Sequence, residues 1–292
     1  DHAAQVCLAS ETARQWLFDR LTQLLDEVQP DYLKWDNNMF INCDRTGHGH
    51  GATDGNFAHV SGLYSLLATL RARYPDMLME NVSGGGNRLD LGMARYTDVA
   101  WMDDRTAPSV HVRHNVQGLS TVFPPAYLLS FVTDHEGEPL HDAPDLPLYF
   151  RSRMEGELGL CFLSGELSDE DAAAMSNEIA IYKSMRGMVT AGAGALLTRQ
   201  ASAENGPPWD VLQQATPDAQ QFVLCAVQSD DGVQTFTVKP KDLDSGTLYQ
   251  ILSVDTGVLG TATGADLMAD GIALLQSPNS AAHILIVTAK QP

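Results

Sequence analysis

Two aspartates carry the chemistry that this sequence suggests. Asp36 ends the short apolar run 31–36, and Asp104 ends the run 99–104. A pair of carboxyl groups can hydrolyse a glycosidic bond with retention, because one attacks the anomeric carbon while the other protonates the leaving oxygen and then activates water. Enzymes of this kind hold the two groups about 5–5.5 Å apart. The two runs would therefore have to end near each other.

The neighbours of each aspartate suit these two roles. Lys34 stands two residues before Asp36, and strand alternation puts both side chains on the same side. Its ammonium would keep the carboxylate ionised, as a nucleophile requires. Trp101 precedes Asp104, and an aromatic neighbour favours a protonated carboxyl, which suits a general acid. From these residues alone, a helix cap or a solvated loop position is an open alternative for either aspartate.

The elements that position these residues alternate along the first two thirds of the chain. Helical spacing of apolar residues begins after Ser10, where Trp16, Leu17, Leu21, Leu24 and Leu25 recur, and a second stripe consists of Leu63, Leu66, Leu67 and Leu70. Further helices are predicted over 109–122, 147–158 and from Ser168 to about 189. The strand-like runs are 31–36, 77–81, 99–104, 127–132 and 160–164.

This alternation predicts parallel βαβ units. Polar residues cluster at the carboxyl ends of the predicted strands, which is where (β/α)₈ barrels build their active sites. A doubly wound sheet is the competing architecture, but no Gly-x-Gly-x-x-Gly turn follows the first strand.

The composition changes after about residue 205. Gly206-Pro207-Pro208 marks a predicted boundary, so we expect a catalytic barrel portion over 1–205 and a second domain over 206–292. Short alternating runs separated by turn residues predict a small antiparallel β-sandwich there. These runs are 222–227, 235–238, 249–254, 271–275 and 283–287.

Charge and cysteine content exclude several classes of partner. The net charge is −19, and a field of that sign repels nucleic acid and anionic membrane surfaces but tolerates a neutral sugar. None of the four cysteines forms a Cys-x-x-Cys pair, so we expect neither a metal site nor a cofactor. His48, His50 and Asp54 could be metal ligands, but a substrate-side loop is favoured because the sequence identifies no further ligand.

The chain opens with Asp1 rather than Met. We therefore expect that the natural amino terminus is missing, and a cytoplasmic location is favoured without being established. No secretory signal stands at the start.

Three segments resemble one family, glycoside hydrolase family 36, the bacterial-type α-galactosidases. Residues 34–38 (Lys-Trp-Asp-Asn-Asn) resemble its Lys-Trp-Asp-Met-Asn-Arg motif. Residues 80–90 are similar to its Glu-x-Cys-x-Ser-Gly-Gly-Gly-Arg-Phe-Asp segment, and residues 101–106 to its Trp-x-Ser-Asp-x-Thr motif. Residues 248–249 and 263–272 resemble its carboxyl-terminal β-domain. The order of the segments fits as well, so the resemblance covers nearly the whole chain.

The resemblance implies a retaining α-galactosidase without a cofactor. It makes Asp36 the nucleophile and Asp104 the acid/base, with Asp103 as the rival acid/base because it takes the place of the family's serine. The other residues that it places around the bound sugar are Lys34, Asn38, Ser83, Gly84, Gly85 and Trp101. The expected partner is an α-galactoside oligosaccharide, and the family suggests a homo-oligomer.

Three departures from the family leave alternatives open. Asn37 and Met39 replace its usual Met and Arg, and Val82 stands where a cysteine usually contacts the sugar. An α-N-acetylgalactosaminidase, or an α-glycosidase for another sugar, is therefore an alternative. The chain also begins just before the fourth strand of the family's barrel, so we expect an incomplete barrel of about strands 4 to 8. A non-catalytic sugar-binding fragment is the remaining alternative.

Overall fold

The computed structural model describes residues 5–38, 40–135, 138–163, 165, 167–200, 202, 204–205, 207–229, 232–277 and 279–290. The chain divides into two compact units, residues 1–101 and residues 102–292. Among the described residues, no helix is both long enough and apolar enough to cross a membrane.

The first unit alternates helices and parallel strands. Its elements are α1 (Glu11–Val28), β1 (Tyr32–Asp36), α2 (Gly55–Arg73), β2 (Leu78–Val82), α3 (Leu91–Ala94) and β3 (Val99–Trp101). β1 pairs with β2, and β2 with β3, both in parallel. Ser10 caps α1 by accepting a hydrogen bond from the Ala13 N–H, as the sequence predicts. Asp103 and Asp104 were expected at the end of the third strand, but β3 ends at Trp101, so both lie in the loop that follows.

The core of the first unit explains why β1 presents its polar residues outward. The predicted leucine stripe of α2 is buried, and Leu33 and Trp35 of β1 pack against the same apolar cluster. Alternation then leaves Lys34 and Asp36 on the exposed face. The predicted apolar face of α1 is only partly correct. Leu25 is buried, but Trp16 and Leu24 are 55% and 54% exposed.

The second unit begins with the other two parallel strands. Its first elements are α4 (Ser109–Leu119), a 3₁₀ turn (Pro125–Tyr127), β4 (Leu128–Thr133), α5 (Leu146–Arg151), β5 (Glu157–Cys161) and α6 (Asp169–Ala191). β4 and β5 pair in parallel, so all five predicted parallel strands are present. Ser168 caps α6 as expected, by accepting from the Asp171 N–H.

Two boundaries in this unit differ from the prediction. The helix predicted over 147–158 ends at Arg151, and β5 begins three residues before the predicted strand 160–164. Gly156 accounts for the early start, because a Cβ there would lie 2.3 Å from the Leu128 carbonyl oxygen. Only glycine permits β5 to begin that close to β4. Ser164 lies outside the described residues.

Antiparallel sheets complete the second unit. The remaining elements are β6 (Ala193–Leu196), β7 (Trp209–Ala215), β8 (Gln221–Gln228), β9 (Thr235–Val238), β10 (Leu248–Ser253), β11 (Gly257–Thr263), α7 (Gly264–Ala269), β12 (Ile272–Leu275) and β13 (Ala282–Ala289). Six strands form one sheet in the order β11-β10-β13-β8-β7-β6, and β12 pairs with β9. The five predicted runs correspond to β8, β9, β10, β12 and β13.

The predicted division at 205/206 stays a prediction. β6 precedes that boundary and nevertheless pairs antiparallel with β7 in the six-stranded sheet. Three strands were not predicted from the sequence: β6, β7 and β11. Alanine and glycine, which are poor strand formers, fill much of β6 and β11. Gly206 itself lies outside the described residues.

Candidate active site

The Asp36 carboxylate stands at the carboxyl end of a parallel strand. Asp36 is the last residue of β1, it is exposed, and it pairs in register with Val82 at the end of β2. The Asn37 N–H donates to the Val82 carbonyl oxygen at 3.2 Å, which extends the ladder one residue beyond the strand. The backbone on both sides of Asp36 is therefore held by β2, so the carboxylate projects from a fixed strand end.

Lys34 takes part in a small polar cluster beside this strand end. Its Nζ lies 3.4 Å from Oε1 of Glu80, a side chain that is only 3% exposed. The same Nζ lies 5.9 Å from the ring centroid of Trp101, and the Tyr32 hydroxyl donates to Glu80 Oε2 at 2.8 Å. The expected effect of Lys34 on Asp36 stays a prediction, and the structure gives Lys34 an ion pair with Glu80.

Glu80 belongs to this polar cluster, although it is not among the site residues predicted from the sequence. Parallel pairing places Lys34 and Glu80 directly opposite each other on neighbouring strands. Predicting this contact requires the register between the two strands, and the sequence alone does not fix that register. Glu80 holds the Lys34 ammonium on the exposed face and next to Trp101, which is itself 9% exposed.

The glycine turn after β2 is fastened to the loop after β1. The buried Ser83 hydroxyl donates to the Asn37 carbonyl oxygen at 2.6 Å, and the Gly84 N–H donates to Asn38 Oδ1. Gly84 and Gly85 have φ angles of +48° and +76°, which favour glycine. Ser83 is thus bound to Asn37 and Gly84 to Asn38, and the expected contact of Asn38, Ser83 and Gly84 with a sugar stays a prediction.

Asp103 is tightly held by α4 in the second unit. Its Oδ2 accepts from His111 Nε2 at 2.8 Å and from Asn115 Nδ2 at 2.6 Å, and its Oδ1 accepts from the Arg105 N–H at 2.8 Å. Partial burial raises the pKa of the Asp103 carboxyl, but the hydrogen bonds from Arg105, His111 and Asn115 outweigh it and leave this pKa below its ordinary value.

These contacts bear on the choice between the two neighbouring aspartates. A carboxyl whose pKa is lowered is a poor proton donor at neutral pH. Asp103 is therefore better suited to holding the loop than to protonating a leaving group. Asp104 follows it in the chain and is exposed. The role of Asp104 as the acid/base stays a prediction.

A second group of chemically active side chains lies in the first unit. Four ligand atoms lie within 4.8 Å of one another, and they belong to Cys7, Cys43, His48 and His50. The sequence analysis considered the two histidines with Asp54 and favoured a substrate-side loop without a metal. Asp54 is not in the group, and its Oδ1 accepts from the Gly51 N–H at 2.6 Å. Both cysteines were missed, since neither stands in a Cys-x-x-Cys pair.

A pocket of about 500 Å³ lies at the opposite end of β1 and β2. Its lining includes Asp31 and Met77, next to the amino ends of these strands. Residues at this end of a barrel-type sheet serve stability, whereas catalytic residues follow the carboxyl ends. We therefore assign the site to the Asp36 end.

Comparison with known proteins decides the family. The Melibiase family matches residues 4–192, which include every predicted site residue. The chain belongs to the Melibiase family. Among curated relatives, α-galactosidase Mel36A of Lactobacillus acidophilus is 29% identical over 258 residues, which is 85% of this chain and 34% of Mel36A. α-Galactosidase C of Emericella nidulans is 31% identical over 169 residues, 56% of this chain and 21% of that protein.

Solved structures agree on the fold. The α-galactosidase AgaA of Geobacillus stearothermophilus, a member of glycoside hydrolase family 36, superposes with a TM-score of 0.81 at 23% identity, over 97% of this chain and 39% of that one. The Lactobacillus brevis α-galactosidase gives the same TM-score at 22% identity, covering 98% and 39%. The predicted fold is confirmed, a (β/α)₈-type barrel portion followed by an antiparallel β-domain, and so is the resemblance to family 36. The chain spans only about a third of the length of Mel36A.

Proposed function

We propose that this melibiase chain carries the catalytic carboxylates of a retaining glycoside hydrolase that acts on terminal α-galactosides. The observation that carries the proposal is the position of Asp36, an exposed carboxylate at the carboxyl end of a parallel strand inside the family match. Curated relatives are named α-galactosidases, and AgaA variants are known in complex with raffinose and with stachyose. These names support an α-galactoside oligosaccharide as the substrate.

The proposed reaction has two steps. In the first, an Asp36 oxygen attacks the anomeric carbon and forms a glycosyl ester, while Asp104 donates its proton to the leaving oxygen and the aglycone departs. In the second, the Asp104 carboxylate takes a proton from water, the water oxygen attacks the same carbon, and the ester bond to Asp36 breaks. Two inversions give net retention, and the enzyme returns to its starting protonation state.

The surrounding residues have supporting roles in this proposal. The Lys34 ammonium, held by Glu80, offers hydrogen-bond donors to sugar hydroxyls on the face of β1 that carries Asp36. The contacts of Ser83 and Gly84 with the loop after β1 fix the backbone next to the nucleophile. Positioning of this kind matters because small displacements of reacting atoms cost large factors in rate.

Hydrolysis of p-nitrophenyl α-galactoside by the purified chain tests the proposal. Asp36→Asn should reduce turnover by several orders of magnitude, and azide should restore part of it as a replacement nucleophile. Asp31→Asn is the matched control, because Asp31 precedes the same strand at its opposite end and should leave turnover nearly unchanged. Full activity in Asp36→Asn would overturn the assignment. Galactose binding without any turnover by the unmutated chain would replace it with a binding function.

A different sugar specificity is the second candidate, and Val82 favours it. Val82 is the register partner of Asp36 and is 4% exposed, so an apolar side chain stands next to the proposed nucleophile. α-N-Acetylgalactosaminides should therefore be assayed beside α-galactosides. A higher kcat/KM for the N-acetyl sugar would establish this candidate in place of the first.

A further inference from the structure

Four side chains from two distant segments meet in the first unit. Cys7 lies just before α1, and the other three lie in the loop between β1 and α2. The Cys7 Sγ lies 3.5 Å from His50 Nε2, and the Cys43 Sγ lies 3.4 Å from His48 Nε2. The two Nε2 atoms are 3.1 Å apart. We refer to Cys7, Cys43, His48 and His50 as the Cys/His cluster.

These distances match the edges of a metal-centred tetrahedron. Zinc binds thiolate sulfur at about 2.3 Å and imidazole nitrogen at about 2.0–2.1 Å in tetrahedral sites, so ligand atoms lie roughly 3.3–3.8 Å apart. The three measured separations are within a few tenths of an ångström of that range. All four ligand atoms lie within 4.8 Å of one another. One ion could therefore contact all four with small side-chain movements.

A backbone contact turns one histidine toward the centre of the cluster. His50 Nδ1 lies 2.5 Å from the Gly51 carbonyl oxygen. Since a carbonyl oxygen only accepts, this contact places a proton on Nδ1, and in the neutral imidazole Nε2 then keeps its lone pair for a ligand. This is the arrangement that orients metal-bound histidines in proteins. The Gly51 N–H in turn donates to Asp54, which holds the peptide in place.

Glycines let the loop approach the segments that carry the two cysteines. Gly47 and Gly49 flank His48 with φ angles of +87° and +97°. A Cβ on Gly49 would lie 2.4 Å from the Ala9 carbonyl oxygen, two residues beyond Cys7. A Cβ on Gly55 would lie 2.1 Å from the Cys43 carbonyl oxygen. The chain conformation thus brings the cluster together, and side chains at these glycines would separate its parts.

We propose that the Cys/His cluster binds one Zn²⁺ ion in a closed tetrahedral site. Two thiolates and two imidazoles in this geometry select zinc among the common divalent ions. Four protein ligands leave no open position for water or substrate, so the ion is structural and takes no part in the reaction. It fastens the loop that follows the Asp36 strand to the segment before α1. The proposal does not depend on the glycosidase function.

Metal analysis of the full chain, purified with its thiols reduced, tests the site directly. We expect about one equivalent of zinc per chain, removable by a strong chelator and restored by added Zn²⁺. After exchange for Co²⁺, the protein should show the visible absorption of tetrahedral cobalt together with thiolate-to-cobalt charge transfer. Less than a tenth of an equivalent after incubation with Zn²⁺ would overturn the proposal. A disulfide between Cys7 and Cys43 in place of metal would do the same.

Variants separate a built site from adventitious binding. Cys43→Ser and His50→Gln should each lose most of the bound zinc, whereas Cys161→Ser, an exposed cysteine outside the cluster, should keep it. Asp54→Ala removes the support of the Gly51 peptide and a negative charge near His50 but no ligand, so it should keep the stoichiometry but weaken Co²⁺ binding by about 10–100-fold. Circular dichroism shows whether each variant folds. Unchanged zinc content in folded Cys43→Ser would contradict the proposal, and the cobalt spectrum of the unmutated chain stays decisive if the variants do not fold.

Discussion

Asp36 and Val82 face each other in register at the carboxyl ends of β1 and β2. Side chains of register partners in a parallel pair lie on the same face of the sheet. The proposed nucleophile therefore has a buried apolar neighbour on the adjacent strand, where the family resemblance expects a cysteine that contacts the sugar. This relationship makes Val82 the residue through which sugar specificity is most directly tested.

Val82→Ala is expected to shift specificity toward sugars with a larger substituent at C2. Removing two methyl groups opens space beside Asp36, and a change of this size in an apolar contact alters discrimination by about 10-fold or more. The ratio of kcat/KM for p-nitrophenyl α-N-acetylgalactosaminide to that for α-galactoside measures the shift. Leu33→Ala is the control, because Leu33 packs against the core on the opposite face of β1. An unchanged ratio would show that Val82 does not contact the sugar.

Asp104→Asn and Asp103→Asn should differ in their dependence on the leaving group. Loss of a general acid costs about 10²–10⁴-fold on raffinose and much less on an activated aryl galactoside, which needs no protonation. Asp103, held by His111 and Asn115, acts by positioning, so its variant should lose the same factor on both substrates. His111→Asn should behave like Asp103→Asn. A leaving-group-dependent loss in Asp103→Asn would reverse the two assignments.

The sequence predicted the strands that carry these residues better than the contacts between them. The positions of β1 and β2 and the outward face of Lys34 and Asp36 follow from alternation, which is a local property. The end of β3 at Trp101 does not follow from alternation. Asp103 lies beyond the strand and is hydrogen-bonded to residues of α4. These partners are 8 and 12 residues away.

Of the Cys/His cluster, only the two histidines were predicted as candidate metal ligands, because contacts between distant segments cannot be inferred from local patterns. His48 and His50 are two residues apart, which suggests a metal site, but Cys7, which contacts His50, is 43 residues away in the sequence. Spacing rules for zinc sites depend on ligands that come in close pairs. A ligand that is supplied by tertiary folding has no such signal.

Stability should fall in mild acid because of His59. This histidine is 2% exposed, and burial, with a contribution from the charge of Arg88, lowers its pKa to about 4 from 6.5. The unfolded chain then binds more protons than the folded one between these values. The contribution of His59 to the free energy of unfolding is therefore fully present above pH 6.5, and it drops by up to about 1.4 kcal/mol per pH unit as the pH falls toward 4.

Urea unfolding followed by circular dichroism at pH 7.5, 6.0 and 5.0 measures this loss. His59→Asn is the informative variant, because its side-chain oxygen can still accept from the Leu8 N–H, as His59 Nδ1 does at 3.1 Å. It cannot titrate in this range, so its stability should vary less with pH. Identical pH dependence in the two proteins would show that His59 is not the group responsible.

Arg113 and Asp210 form a buried ion pair, and removing one partner should destabilise the second unit. Two guanidinium nitrogens of Arg113 donate to the carboxylate at 2.9–3.1 Å, and the two side chains are 3% and 0% exposed. Asp210→Ala leaves a buried charge without its partner and should lower the free energy of unfolding by about 3–5 kcal/mol. Urea denaturation measures the loss.

The exposed pair Arg73–Asp26 is the matched control for this prediction. It has the same chemistry, but its side chains are 49% and 50% exposed. Asp26→Ala should therefore lower the free energy of unfolding far less than Asp210→Ala does. Equal losses in the two variants would mean that burial does not set the strength of the Arg113–Asp210 pair.

Trapping of the glycosyl ester tests the role of Asp36 most directly. A fluorinated α-galactosyl fluoride, which forms the ester readily but hydrolyses slowly, is incubated with the chain, and the digested protein is analysed by mass spectrometry. We expect one fluorogalactosyl group per chain, attached to Asp36 and absent from Asp36→Asn. A label on another carboxylate, or turnover of α-galactoside to the inverted sugar without any label, would contradict it.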